Sequence, residues 1–172
     1  MRINIIPVEF LTDVHLRAEF REIIMSIHYY KRSVNSPKGI DRKKIPSEYT
    51  LNSGHAMFFY NKFLFIKNRY FQLLEEMKNR GFGTESIEEL FLPLFEGIIP
   101  SFEINDYEVT KKDILVNIQR ILEKIHYMEF TKGKPTYYKL NKVSMSFDDW
   151  VYYYHFQLDF DEILEIAESI RG

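Results

Sequence analysis

The stretch TDVHLRAEFREIIMSIHYY, residues 12–30, decides the predicted fold because its apolar side chains recur every three or four positions and form one stripe on a helix. Thr12 and Asp13 are residue types that begin helices by accepting backbone N–H groups. We therefore predict one helix from Asp13 to about Tyr30 that packs against a core. The stripe consists of Leu16, Phe20, Ile23, Ile24 and Ile27. The polar flank, which we expect to face solvent, consists of His15, Glu19, Glu22 and Ser26.

Two further stretches predict helices. The second helix runs from Ser53 to about Asn79, and Gly81 is a residue type that ends helices. Because this helix is apolar almost all round, we expect it at the centre of the protein. Thr110 is expected to cap a third helix, which has an apolar stripe and ends near Phe130.

The other segments of the first 140 residues are predicted to be connections. Residues 31–52 are rich in basic and turn-forming residues and indicate a long loop. Residues 82–108, which contain Pro93, are predicted to be a connector with at most one short acidic turn. Because Pro135 prevents the third helix from continuing, residues 136–140 are predicted to be extended.

These patterns predict an all-α protein. Residues 1–140 are expected to form a compact single domain of three main helices with long loops. Residues 141–172 are expected to be an acidic, aromatic C-terminal extension that packs on this domain. Within it, Ser146 and Asp149 weakly match a capping box, and a last amphipathic helix runs over about residues 159–170.

The composition excludes several kinds of chemistry. The chain has 172 residues, of which 45% are apolar, and it has no Cys, so thiol catalysis and Cys-ligated zinc or iron–sulfur centres are excluded. No signal-peptide pattern is present, and the aromatic run at residues 56–60 is too short to span a bilayer. We expect a soluble, cytoplasmic protein.

The formal charge of −2 hides a polarised distribution. Residues 1–80 carry 14 basic and 8 acidic side chains, a net charge of +6, whereas residues 81–140 carry −3 and residues 141–172 carry −5. Basic clusters are usually solvated loops, so charge alone does not decide for nucleic acid. It does place the basic excess in the part of the chain that holds the first two predicted helices.

Six short motifs follow one another along residues 2–140. They are Arg2-Ile3-Asn4; His15-Leu16 with AEFRE at residues 18–22; Gly54-His55 with Phe58-Phe59-Tyr60 and Lys62; Arg80-Gly81-Phe82; Arg120 with Glu123-Lys124-Ile125; and Pro135-Thr136-Tyr137-Tyr138-Lys139. In order and approximate spacing they resemble the pyrimidine-dimer DNA glycosylase/AP lyases, also called dimer-specific endonuclease V. The N-terminal block is the most specific of the six.

The resemblance implies a small helical enzyme that removes UV-damaged pyrimidines from double-stranded DNA and nicks the abasic site. It implies that the α-amine of the first residue, here Met1, is the nucleophile and that Glu22 is the catalytic acid/base. The DNA-binding residues that it implies are Arg2, His15, Arg21, Arg120, Lys124, Tyr137, Tyr138 and Lys139.

These residue types suit that chemistry. An α-amino group has an ordinary pKa of about 7.7–8.0, well below that of lysine, so part of it is uncharged and nucleophilic near neutral pH. A carboxylate such as Glu22 can stabilise the positive charge of an imine and then remove the 2′ proton, which drives β-elimination. The reaction needs no cofactor and no metal.

The sequence departs from the family pattern at three places. Met1 stands where the compared family member begins with Thr, and we expect Met1 to be retained because bulky Arg2 follows it. Met25 stands where the family has a further arginine. About six extra residues precede Pro135, and some 30 follow Leu140. The preferred lesion can therefore differ from a cyclobutane dimer.

Two alternatives stay open. The same scaffold could act on another modified or damaged base, or the chain could be a silent DNA-binding or interaction protein in which Met1 and Met25 mark a lost site. We expect a monomer that contacts no membrane. The acidic extension, residues 141–172, is expected to cover apolar surface of the body; the alternatives are that it competes with DNA or dimerises.

Overall fold

Eight α-helices and one two-stranded antiparallel hairpin make up the computed structural model, which describes every residue from Met1 to Gly172. The helices are α1 (Asp13–Glu22), α2 (Ile24–Val34), α3 (His55–Phe58), α4 (Phe63–Asn79), α5 (Glu85–Ile98), α6 (Lys111–His126), α7 (Phe147–Tyr154) and α8 (Phe160–Arg171); the strands are β1 (Lys139–Leu140) and β2 (Val143–Ser144). The prediction of an all-α protein is confirmed, because the hairpin is very short. No helix combines the length and the apolar character needed to cross a membrane.

The chain divides into two compact units, each built from separate stretches of sequence. The first unit comprises Met1–Ile3 and Arg17–Glu108, and the second comprises Asn4–Leu16 and Val109–Gly172. The division into a domain of residues 1–140 and an extension of residues 141–172 stays a prediction.

Aromatic rings fill the core of the first unit. Tyr70 of α4 stacks on Phe91 of α5 with 3.9 Å between the ring centroids. Tyr30 of α2 meets Phe63 of α4 edge to face at 5.2 Å. Burial of one such side chain contributes about 1.5–3 kcal/mol. These ring contacts join α2, α4 and α5 into one core.

The helix predicted for residues 13–30 is in fact two helices, α1 and α2. Its apolar stripe is buried, as predicted. The break falls at Ile23, whose carbonyl oxygen accepts the backbone N–H of Ser26 at 3.1 Å and the hydroxyl of the same residue at 2.6 Å. A Ser side chain that bonds to a carbonyl of the preceding turn competes with the regular helical pattern and bends the helix.

The polar flank of that stretch does not face solvent as predicted. His15, Glu19 and Ser26 are buried, and only Glu22 keeps partial exposure. The Glu19 carboxylate accepts two hydrogen bonds from Arg69 of α4, at 2.8 Å from Nε and 3.1 Å from Nη2. The two side chains are 1% and 3% exposed. The polar character of Glu19 is therefore explained by its ion pair with a distant arginine in the first unit.

We expect the variant Glu19→Ala to lose about 3–5 kcal/mol of unfolding free energy, because it leaves the Arg69 charge buried without its carboxylate partner. Chemical denaturation monitored by circular dichroism measures this loss. The control is Glu75→Ala on α4, an exposed position where a change within about 0.5 kcal/mol is expected. Equal stability of the two variants would contradict the role assigned to the pair.

The second predicted helix is also interrupted. The chain leaves the helical path after α3 and resumes it in α4, where Lys62 occupies the N-cap position. The Lys62 ammonium donates to the carbonyl oxygen of Phe58 and to the side chain of Asn61, both at 2.8 Å, so it satisfies the open end of α3. Burial lowers the pKa of Lys62. The predicted stop at Gly81 is confirmed: its φ is +72°.

Helix α5 lies where a connector was predicted. Phe91 and Phe95 are buried on one side of it. Pro93 lies between the two ends of the helix, and its side chain is exposed to solvent. A proline inside a helix costs about 3 kcal/mol. Burial of two phenylalanines contributes about 1.5–3 kcal/mol each, so together they contribute at least as much as the proline costs. Burial of Phe91 and Phe95 therefore offsets the cost of Pro93, and the helix forms.

The second unit is built around α6. Thr110 and Asp113 form a capping box at its start, and a π-helical turn continues it from Tyr127 to Thr131, so the prediction for the third helix is confirmed. Asn117 of α6 accepts the backbone N–H groups of Ile5 and Ile6 at 2.8 and 3.2 Å.

Helices α7 and α8 complete the second unit. The weakly predicted capping box of Ser146 and Asp149 is present at the start of α7, and the predicted last helix is α8. Trp150 is fully buried, and the hydroxyl of Tyr154 donates to the carbonyl oxygen of Phe10 at 3.0 Å.

Candidate active site

The N-terminal amine lies beside the Glu22 carboxylate in the first unit. The Met1 nitrogen is 3.5 Å from Oε2 of Glu22, and the backbone N–H of Arg2 donates to the same oxygen at 3.2 Å. The Met1 side chain is only 2% exposed although the residue as a whole is half-buried, so its exposure lies mainly in the main chain. The large first side chain is thus buried.

Two further hydrogen bonds fix the backbone of Ile3. Its N–H donates to Nε2 of His55 at 2.9 Å, and its carbonyl oxygen accepts the hydroxyl of Tyr49, also at 2.9 Å. His55 and Tyr49 are buried. The amine therefore stands at the end of a short segment held by buried groups.

The hydrogen bonds of His55 define its tautomer. Nδ1 lies 2.7 Å from the carbonyl oxygen of Thr50, which can only accept, so Nδ1 carries the proton and Nε2 is free to accept from Ile3. Burial is the main cause that lowers the pKa of His55, and the positive charges of Arg2 and of the Met1 amine lower it further. The ring is thus held in its neutral form.

Two exposed arginines, Arg17 and Arg21, lie on α1 in the first unit. Arg21, next to Glu22 on α1, is exposed, and Arg2 is half-buried. Arg21 and Arg17 line a cavity of about 330 Å³, in which the Arg17 guanidinium stacks over the ring of Phe82 at 5.2 Å. Exposed guanidinium groups are suited to binding phosphate.

The remaining predicted site residues belong to the second unit. His15 and Tyr138 stack with 5.2 Å between their ring centroids, and both are buried. Tyr137 beside them is 43% exposed. On α6, Arg120 and Lys124 are half-buried, and Arg120 pairs with Glu123 at 3.3 Å. Within this unit the packed rings leave Tyr137 as the more accessible tyrosine.

A hairpin follows the tyrosines. Only Lys139 and Leu140 of the segment predicted to be extended form a strand, which pairs with β2. The Asp13 carboxylate accepts the backbone N–H groups of Asn141 and Lys142 at 2.9 and 2.7 Å, in the turn of the hairpin. Asp13 thus fixes the position of Lys139 through the turn that follows it.

We expect Asp13→Ala to release this turn, because hydrogen bonds to a charged group contribute about 1.5–3 kcal/mol. Faster exchange of the Asn141 and Lys142 amide hydrogens, measured by NMR, is the expected result. Asp161→Ala, at an exposed position of α8, serves as the control and should leave both exchange rates unchanged. Unchanged protection in Asp13→Ala would contradict the assignment.

The first unit combines two groups that act together in imine chemistry. An amine can supply a nucleophile, and a carboxylate 3.5 Å away with a side chain 41% exposed can take up and return protons at that nitrogen. No cluster of three or more His, Asp or Glu side chains is arranged to hold a metal ion. The sequence motifs identified Met1 and Glu22, but Tyr49 was not predicted. For His55 the sequence leaves two interpretations open, a buried hydrogen-bonding residue or a DNA contact, and the structure shows a buried hydrogen-bonding residue.

A protein-family model described as pyrimidine dimer DNA glycosylase matches residues 1–89. The match includes Met1, Arg2, Arg21 and Glu22, together with His15. The predicted residues on α6 and around the hairpin lie outside the matched range.

Proposed function

Because this chain belongs to the pyrimidine dimer DNA glycosylase family, we propose that it removes damaged pyrimidines from double-stranded DNA and then nicks the abasic site by β-elimination. The observation that carries the proposal is the pairing of the Met1 amine with Glu22 at 3.5 Å. An amine and a carboxylate at this separation are the minimum needed for imine formation followed by proton removal.

The first step is excision. The uncharged Met1 amine attacks C1′ of the damaged nucleotide, and the bond between C1′ and the base nitrogen breaks with its electron pair leaving on the base. Glu22 accepts the proton that the amine nitrogen loses and returns it to the ring oxygen as the sugar opens. The product is an iminium ion between Met1 and the opened deoxyribose, stabilised by the Glu22 carboxylate.

The second step is strand cleavage. The Glu22 carboxylate removes a proton from C2′, and the iminium takes up the electron pair and becomes an enamine. The enamine nitrogen then returns the pair, the bond between C3′ and the phosphate oxygen breaks with its electrons leaving on the phosphate, and a conjugated iminium forms. Water then hydrolyses the remaining imine and frees the Met1 amine for another turnover. Both steps use only groups that lie together in the first unit.

The DNA contacts in this proposal come from basic and aromatic side chains. Arg2 and Arg21 would hold phosphates next to the amine. Those assigned to the second unit are His15, Arg120, Lys124, Tyr137, Tyr138 and Lys139. Lys and Arg contacts to phosphate make affinity fall with rising salt concentration. The net charge of +3 on residues 1–140 is consistent with moderate, salt-sensitive binding. We expect the protein to bind DNA as a monomer.

Matched duplexes test the proposal. One contains a cyclobutane pyrimidine dimer, one an abasic site, one an oxidised pyrimidine and one no lesion. We expect nicking of the dimer and abasic-site duplexes and none of the undamaged duplex. Nicking of the oxidised-pyrimidine duplex without the dimer duplex would select another base as the substrate. Binding without nicking of any duplex would overturn the enzymatic proposal.

A further inference from the structure

His55 and the N-terminal segment are linked by a hydrogen bond that the reaction itself does not use. The acceptor nitrogen of the ring holds the N–H of Ile3 at 2.9 Å, two residues from the amine. His55 is 4% exposed, and its ring packs edge to face against Tyr49 and Phe59, with centroid distances of 5.5 and 5.4 Å. It is therefore a rigid support.

Glu22 by itself is a weaker support for the amine. Its side chain is 41% exposed, and it reaches the amine at 3.5 Å, beyond ordinary hydrogen-bond length. The buried contacts to Ile3 are shorter and come from the interior. The direction of the amine thus depends more on His55 and Tyr49 than on its catalytic partner.

We propose that His55 is a positioning residue, which holds the Met1 amine in line with Glu22 through Ile3 and releases it when the ring takes up a proton. This inference rests on the proposed function. A protonated ring has N–H groups at both nitrogens, so Nε2 would face the Ile3 N–H as a second donor and the hydrogen bond would be lost.

The surroundings of the ring favour the neutral form that the support requires. The charged groups that face it are Arg2 and the Met1 amine, both positive, while Tyr49 and Phe59 contribute uncharged rings. The Thr50 carbonyl, which accepts from Nδ1, acts in the opposite direction and raises the pKa of His55, but burial has the larger effect. Burial lowers the pKa of His55 from its usual value of 6.5. On acidification His55 of the unfolded chain is protonated before His55 of the folded protein. His55 therefore has no effect on the free energy of unfolding above about pH 6.5, and it lowers that free energy as the pH drops from there towards the folded-state pKa.

A pair of matched variants tests the inference. His55→Gln keeps an acceptor at similar reach that does not titrate, and His28→Gln makes the same change at an exposed position of α2. The readout is the single-turnover rate of borohydride-trapped adduct formation on an abasic-site duplex. It is followed over the pH range in which NMR shows that wild-type His55 is protonated.

We expect the rate of the wild-type protein and of His28→Gln to fall about tenfold more per pH unit than that of His55→Gln, because one fewer group titrates in the latter. At neutral pH His55→Gln should keep most of its rate. His55→Leu, which removes the acceptor, should lose roughly 100-fold, the effect of a misplaced reacting group. Identical pH profiles for the wild-type protein, His28→Gln and His55→Gln would overturn the inference.

A second measurement needs neither variants nor activity. In the wild-type protein the amide signal of Ile3 should shift with the same midpoint as the His55 ring, and its hydrogen exchange should accelerate below that midpoint. If the amide signal and the hydrogen exchange of Ile3 do not change as His55 titrates, the inference is overturned even though the enzyme is active. Absence of any trapped adduct with an intact Ile3 response overturns the proposed function instead.

Discussion

Replacement of Glu22 by Gln is expected to lower the rate of strand nicking at an abasic site by about 10²–10⁴-fold, the usual contribution of a general acid/base. The amide cannot remove the C2′ proton. Its carbonyl oxygen can still accept the Arg2 N–H that Glu22 accepts at 3.2 Å, so the N-terminal segment should keep its place. Single-turnover cleavage of a labelled duplex, resolved on a denaturing gel, measures the loss.

The matched control is Glu75→Gln, which makes the same change of charge at an exposed position of α4 in the same unit. It should nick at the wild-type rate. Thermal unfolding of both variants checks that the fold is intact. Wild-type nicking by a folded Glu22→Gln protein would contradict the assignment of Glu22 as the acid/base.

Addition of two residues before Met1 is expected to abolish covalent trapping on abasic-site DNA. The Met1 nitrogen would become a peptide nitrogen, whose lone pair is delocalised and no longer nucleophilic. The new terminal amine would stand up to about 7 Å further along the chain, beyond the reach of Glu22. The same two residues added after Gly172 serve as the control and should leave trapping unchanged.

An extended protein that still forms the adduct at the wild-type rate would contradict the use of the α-amine. The amine to examine then is Lys62, because burial lowers the pKa of this lysine in the same unit. Its variant Lys62→Gln should trap DNA normally if Met1 is the nucleophile.

Local patterns in the sequence predicted the parts of the fold that depend on near neighbours. The apolar stripes of the first and third helices, the N-cap at Thr110 and the stop at Gly81 each involve residues within a few turns of one another. Such features are encoded by spacing alone. They were confirmed for that reason.

The features that sequence reasoning missed depend on distant partners. Glu19 resembles a solvated glutamate until Arg69, 50 residues later, is placed against it. Helix α5 contains Pro93, and only the burial of its phenylalanines in the core explains why it forms. Tertiary contacts outweigh local propensity at both places.

The candidate site also contains residues that local sequence patterns predicted and residues that they did not. Met1 and Glu22 were found because their neighbours form a recognisable motif, and the structure brings them to 3.5 Å. The support by His55 and Tyr49 joins residues separated by 52 and 46 positions, which no local spacing indicates. A histidine three residues before a Phe-rich run carries no sequence signal for a hydrogen bond to Ile3.

Peptide mapping of the borohydride-trapped adduct tests the central claim most directly. The wild-type protein is incubated with an abasic-site duplex and borohydride, digested, and analysed by mass spectrometry. We expect one adduct, on the α-amine of a peptide that begins with Met1. An adduct on a lysine side chain, or no adduct from a protein whose Met1 amine is free, would contradict the claim.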